Sequence, residues 1–184
     1  VDNSYSLRAD EVVETVKGLV FALLDDATAR GDRVSLVAFR SGVAEATIAL
    51  RPTASLVLAA RVLRDVPLSG RTPLADALRR AGRLLRQERS KRPNARPLVV
   101  AITDGLPNVP LSPSSDAVDD CERECVALRR AGIGLVVIDA ELPRRSEEAA
   151  GCGRRLARAA GGTHLPLAEA SPLAFERLLR KVSP

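Results

Sequence analysis

Aromatic side chains are nearly absent, at 2% of 184 residues: one Tyr, three Phe and no Trp. The core must therefore be built from Val, Leu, Ile and Ala. Tyr5, Phe21, Phe39 and Phe175 are scattered, so there is no stacking platform and nucleic acid is not an expected partner. Long apolar runs are also missing. None approaches the roughly 20 residues that cross a bilayer. No basic start leads into an apolar stretch and a small-residue cleavage site. The expectation is a soluble, cytoplasmic chain without membrane contact. Lysine stands only at positions 17, 91 and 181, so the net charge of +5 is carried by arginine. That surface permits an acidic partner without naming one, and a plain solvated surface or an arginine-biased coding sequence explains it as well.

Cysteine is scarce and odd in number, at three, which argues against a disulfide framework. Cys121 and Cys125 lie on one apolar stripe with Val118 and Leu128, and Cys152 on another with Ala149, Leu156 and Ala159. A zinc site using the lone His164 is the sharper alternative. Small buried apolar side chains are the preferred reading, because thiols on core stripes are common.

The length suits one domain over residues 1–184, large enough for a substantial core. Leu7 to Arg30 carries Val12, Val16, Leu19, Leu23 and Ala27 at helical spacing, with Asp10 and Glu11 in the first turn and Gly31 placed to stop it. Arg30-Gly31-Asp32 spells an adhesion tripeptide but reads as a helix stop. Val34–Phe39 is expected to be a strand, with Ala44–Leu50 hairpinned to it through Ser41-Gly42. Ala54–Val66 is expected to be a helix, and a second starts at Leu74, its outer face carrying Arg79, Arg80, Arg83 and Arg86 to solvent. Leu98–Thr103 reads as a strand covered on both faces, and Pro107–Ser115 as a loop. The Cys121 helix ends at Gly132, and Ile133–Asp139 is a further strand. Ser146–Ala160 is helical, Thr163–Leu167 a short strand, and Pro172–Val182 a last helix.

Strands alternating with amphipathic helices predict an α/β fold: three layers, doubly wound, with a mostly parallel sheet, one antiparallel edge strand and helices on both faces. Ligands of such folds sit beyond the carboxyl ends of the strands, where strand order reverses. Asp2 and Asp104 both follow strand ends and so share that rim. Asp2 should leave a buried central strand, yet only Val1 precedes it. About five to seven β-branched or Leu residues are therefore expected ahead of Val1, as in the C-terminal part of a longer protein.

Asp2-Asn3-Ser4-Tyr5-Ser6 offers a carboxylate and two hydroxyls at alternate positions of a turn ahead of a long helix. Thr72 adds a hydroxyl and Asp104 a second carboxylate. Oxygen donors alone suit Mg²⁺, with Mn²⁺ as the alternative, and disfavour zinc and copper. So few direct charges leave the cation able to take a carboxylate from a partner. Singly, each residue has a plainer role: Ser6 and Thr72 as helix caps, Thr72 followed by Pro73, and Asp104-Gly105 as a turn pair.

Asp2-x-Ser4-x-Ser6, then Thr72, then Thr103-Asp104-Gly105 resembles the metal-ion-dependent adhesion site (MIDAS) of von Willebrand factor A, or integrin I-like, domains. Gly31–Phe39, Gly70–Leu78 and Thr103–Gly105 are similar in particular to the C-terminal A domain of magnesium-chelatase D subunits and their relatives. Asn3, Tyr5 and Leu7 depart from that branch, which has small residues and Met there.

The resemblance implies a non-catalytic interaction module whose Mg²⁺, held by Asp2, Ser4, Ser6, Thr72 and Asp104, captures an acidic side chain of a protein partner. It further implies a parent that assembles with an AAA+ ATPase subunit in an ATP-dependent metal chelatase of tetrapyrrole biosynthesis. A free-standing protein serving another, MoxR-like AAA+ ATPase is the alternative. A Mg²⁺-dependent phosphoryl-transfer enzyme with Asp2 as nucleophile is a third reading, disfavoured because no second carboxylate stands beside Asp2.

Overall fold

Uninterrupted Val, Ile and Leu runs form the strands and the helical stripes form the helices. The computed structural model describes residues 4–39, 46–64, 73–103, 107–139 and 147–170. The order is α1 (Ser4–Ala29), β1 (Val34–Phe39), β2 (Ala46–Thr53), α2 (Leu56–Arg64), α3 (Leu74–Lys91), β3 (Leu98–Thr103), α4 (Ala117–Arg130), β4 (Gly134–Asp139), α5 (Glu147–Ala160) and β5 (Thr163–Pro166). The helix expected at Pro172–Val182 lies outside the described residues. Three helices stop at a glycine in the left-handed region: Gly31 (φ 75°), Gly132 (φ 64°) and Gly161 (φ 63°). Each stop is closed by the next N–H reaching back, Asp32 to Ala27 O, Ile133 to Leu128 O and Gly162 to Ala157 O.

β3, β4 and β5 form a parallel sheet in that order, with Thr103 opposite Asp139 and Asp139 opposite Pro166. β1 and β2 form an antiparallel pair, Phe39 opposite Ala46 at the hairpin end. Among the described residues no ladder joins the two pieces, so the single sheet expected from the sequence is observed in two parts. The α/β class and the antiparallel edge strand stand as expected.

Both faces of the parallel sheet are covered. Leu135 and Val137 face Leu74, Leu78, Cys121, Cys125, Leu128, Cys152 and Leu156 of α3, α4 and α5. Val136 and Ile138 face Leu19 and Leu23 of α1. Each fully buried Leu or Ile here contributes about 1.5–3 kcal/mol over an exposed one. The thiols are thus core side chains, as preferred above. Burial pushes Cys125 up to about 12 and raises Cys121 and Cys152 too, so they stay protonated and inert.

α1 also packs Val20 and Leu24 against Val34, Leu36, Leu50 and Ala59 of the hairpin and α2. One helix therefore spans both sheet pieces. The winding of α1 begins at Ser4 rather than after Ser6: nothing in Ser4-Tyr5-Ser6 is a Gly or Pro that would block another helical turn.

The tightest backbone approach is at Gly162, where a Cβ would stand 2.1 Å from Leu135 O. Gly162→Ala should therefore lower the melting temperature, at a cost of about 1–3 kcal/mol or more, because the obstacle is backbone. Gly151→Ala, a helical position with nothing within 4 Å, should raise stability by roughly 0.5–1 kcal/mol. Thermal melts of the two variants check both signs.

Candidate metal site at the carboxyl rim

The parallel register brings the carboxyl ends of β3, β4 and β5 to one edge, at Thr103, Asp139 and Pro166. Thr103 and Asp139 are both buried. α3 runs antiparallel to these strands. Its far end is pinned at the opposite edge, where Arg89 Nη1 donates to Ala131 O at 2.6 Å, just ahead of β4. Its 18 residues span about 27 Å, so buried Pro73 at its start belongs to the carboxyl rim.

A carboxylate carries this geometry to the hairpin. Asp76, in the first turn of α3, is 5% exposed. Its Oδ2 accepts from Ala46 N at 3.0 Å and Arg80 Nε at 2.6 Å, and its Oδ1 from Arg79 Nη2 at 2.7 Å. Ala46 opposes Phe39, the last residue of β1. The carboxyl end of β1 therefore lies beside the start of α3. Burial raises the Asp76 carboxyl, but the hydrogen bonds from Arg79, Arg80 and Ala46 outweigh it and hold the pKa below the usual range. Arg79 and Arg80 are thus not the purely solvated pair expected; of the four arginines, Arg83 and Arg86 are the exposed ones.

Asp120 of α4 is a second buried carboxylate. It accepts from Leu111 N and Ser115 Oγ, each at 2.6 Å, and pairs with Arg123. Those bonds fasten the 107–115 loop onto α4. Here also burial raises the carboxyl while Ser115, Leu111 and Arg123 lower it further, for a net decrease. A third carboxylate, Asp139, pairs through Oδ2 with His164 Nε2 at 3.0 Å. Gly153 of α5 lies against this pair, where a Cβ would meet Asp139 Oδ2 at 3.0 Å. The lone histidine is thus held by a strand-end carboxylate. None of the three was singled out as functional from the sequence. Asp76-Arg79-Arg80 and Asp120-Arg123 carried the signal of opposite charges three and four apart on a helix.

Of the predicted ligands, Asp2, Thr72 and Asp104 lie outside the described residues. Ser4 and Ser6 are described by backbone alone, in the first turn of α1 instead of the expected turn ahead of it. Two residues along a helix are about 200° apart, so both hydroxyls reach one ion only from extended backbone. Among the described residues no three His, Cys, Asp or Glu side chains are grouped to hold a metal. The chain neighbours of two predicted ligands, Pro73 and Thr103, are both buried, and the predicted donors are all oxygen. That set fits a hard cation. A hollow of about 470 Å³ on α2, lined by Ser55, Val57, Leu58 and Arg61, includes none of these residues.

The fold is an α/β domain whose parallel strands end at one edge. The von Willebrand factor type A domain family model matches residues 1–106, and the chain belongs to that family. It is 32% identical to an uncharacterised protein of Methanocaldococcus jannaschii over 86% of this chain and 88% of that one. It is 42% identical to the magnesium-chelatase 60 kDa subunit of Cereibacter sphaeroides over 67% of this chain, and 33% identical to the 67 kDa subunit of Chlorobaculum parvum over 94%. Those matches span only 22% and 29% of the two subunits. The fold also matches the crystal structures of BatB from Bacteroides thetaiotaomicron (TM-score 0.65, 18% identity, 93% of this chain and 88% of that one) and the SpRpn10 VWA domain (0.61, 15%, 91% and 82%). Among the described residues no helix is long and apolar enough to cross a membrane.

A carboxyl pKa held low in the folded state stabilises the fold above the unfolded value, near 3.9, and that stability is lost as pH falls through the folded value. Asp120→Asn should therefore destabilise at pH 7, by about 1–3 kcal/mol for the weakened buried bonds. The gap from wild type should narrow below about pH 4, as read from melts across pH.

Proposed function

We propose that this chain is a metal-dependent protein-interaction domain of the MIDAS type. Mg²⁺, or Mn²⁺, is held by Asp2, Ser4, Ser6, Thr72 and Asp104, which requires residues 4–6 to exchange the helical backbone of the first turn of α1 for an extended turn. The cation completes its shell with a carboxylate of a protein partner. What supports this reading is that the start of α3, which Thr72 directly precedes in the chain, is bonded through Asp76 to Ala46 opposite the end of β1, and that Thr103, which Asp104 directly follows, is the last residue of β3.

The shared sequence with magnesium-chelatase subunits supports a cytoplasmic parent that assembles with an AAA+ ATPase subunit. In that reading the bound Mg²⁺ is adhesive and is not the metal delivered to a tetrapyrrole. The domain itself performs no chemistry. A second reading, a free-standing domain serving another AAA+ ATPase, is favoured by the archaeal relative, of which the matched region makes up 88%.

Titration calorimetry with MgCl₂ tests the site. Wild type should bind one Mg²⁺, and Asp104→Ala should weaken it at least tenfold, as loss of a charged ligand implies. Indifference of Mg²⁺ binding to Asp104→Ala would defeat the assignment. Phosphatase turnover lost on Asp2→Asn would move the chain to the phosphoryl-transfer class instead.

A further inference from the structure

α2 is apolar on both sides. Seven of its nine residues are Leu, Val or Ala, and the other two are Arg61 and Arg64. A helix apolar all round is ordinarily enclosed, and α2 is enclosed on one side alone. Leu56, Ala59 and Val62 pack with Leu24 of α1 and Leu50 of β2. Val57 and Leu58 lie off that stripe, 80% and 44% exposed, and are two of the three large apolar side chains exposed among the described residues. With Ser55 and Arg61 they line the hollow of about 470 Å³. Its base is fixed before anything binds, which lowers the cost of docking. Ser55 Oγ accepts from Leu58 N at 3.3 Å, capping the helix, and Ala59 is completely buried.

The surroundings carry one sign of charge. β2 and α2 contain Arg51, Arg61 and Arg64 and no acidic residue. Arg61, one turn from Val57 and Leu58, is exposed and has no carboxylate partner among the described residues. An occupant must bring aliphatic side chains to Val57 and Leu58, and a carboxylate whose two oxygens match the fork of the guanidinium. A second copy of the same face would bring only arginine to Arg61. A lipid surface is flat where this one is concave, and α2 has no aromatic anchor for it. α2 starts shortly after Thr53, which opposes Val34 at the far end of the hairpin from the Phe39–Ala46 pair beside α3.

We infer that this face docks an acidic amphipathic helix of a protein partner, with aliphatic side chains in the hollow against Val57 and Leu58 and a carboxylate on Arg61. The contact needs no metal ion and is independent of the cation reading above.

The test is a two-dimensional NMR titration of the chain, in EDTA, with a synthetic amphipathic peptide of about 15 residues. Its leucines stand at i, i+3, i+4 and i+7, with glutamates flanking that stripe. Wild type should show saturable amide shifts centred on residues 54–64. Val57→Ser and Arg61→Glu, with melting temperatures close to wild type, should each weaken binding by about tenfold or more. A peptide with lysine in place of every glutamate should bind Arg61→Glu more tightly than wild type. Arg96→Glu makes the same change of net charge at another exposed position and should leave the affinity within about twofold. Absence of saturable shifts at α2 overturns the inference. An equal loss in Arg96→Glu also overturns it, making the attraction one of general charge. So does co-sedimentation with phosphatidylglycerol vesicles that Val57→Ser abolishes, which would give the face to a membrane. Because EDTA is present throughout, each of these outcomes leaves the Mg²⁺ assignment to its own titration.

Discussion

Parallel strands have no solvent-facing side, and the packing of β4 shows how the rest of the molecule answers that constraint. Leu135 and Val137 point to one face, Val136 and Ile138 to the other, and all four are almost completely buried. Covering both faces requires α3, α4 and α5 on one side and α1 on the other. The register that results aligns the strand ends, so the rim follows from the burial of β4. The thiols of Cys121, Cys125 and Cys152 belong to this packing, and their raised pKa values follow from it. Gly162 is small for the same reason, since the turn into β5 must pass against the backbone of β4.

The buried carboxylates among the described residues are each tied down. Asp76 locks helix to hairpin, Asp120 locks loop to helix, and Asp139 holds His164 across two strands. A buried carboxylate is tolerable only with such partners. All three cluster where chain segments must be held in fixed relation: the start of α3, the loop that follows β3, and the end of β4. The interaction role of the family makes that rigidity useful, because a surface assembled from separated segments is only as well formed as its supports.

Much of the fold was legible along the chain. The β1, β3 and β4 runs, the glycine stops and the stripes of α3, α4 and α5 all follow from period and end signals within short windows. The start of α1 was misjudged, because Ser4 and Ser6 carry signals for a cap and a ligand turn as well as for a first helical turn. The arginines of α3 were read as one solvated face, since periodicity shows which face a residue is on but not that Asp76 is buried beneath two of them. Asp139 and His164 are 25 residues apart, too far for any local pattern to pair them.

The amino-acid sequence by itself determined the class of fold, the order of its elements, the burial of the thiols and the family whose ligand types stand at positions 2, 4, 6, 72 and 104. Those properties depend on neighbours a few residues away, on period, or on residue type. Only the tertiary structure decided that the end of β1 lies beside the start of α3, that Asp76 joins α3 to the hairpin, and that the lone histidine is taken by Asp139. Each depends on a contact between segments that packing alone brings together, and no single stretch of chain contains both partners.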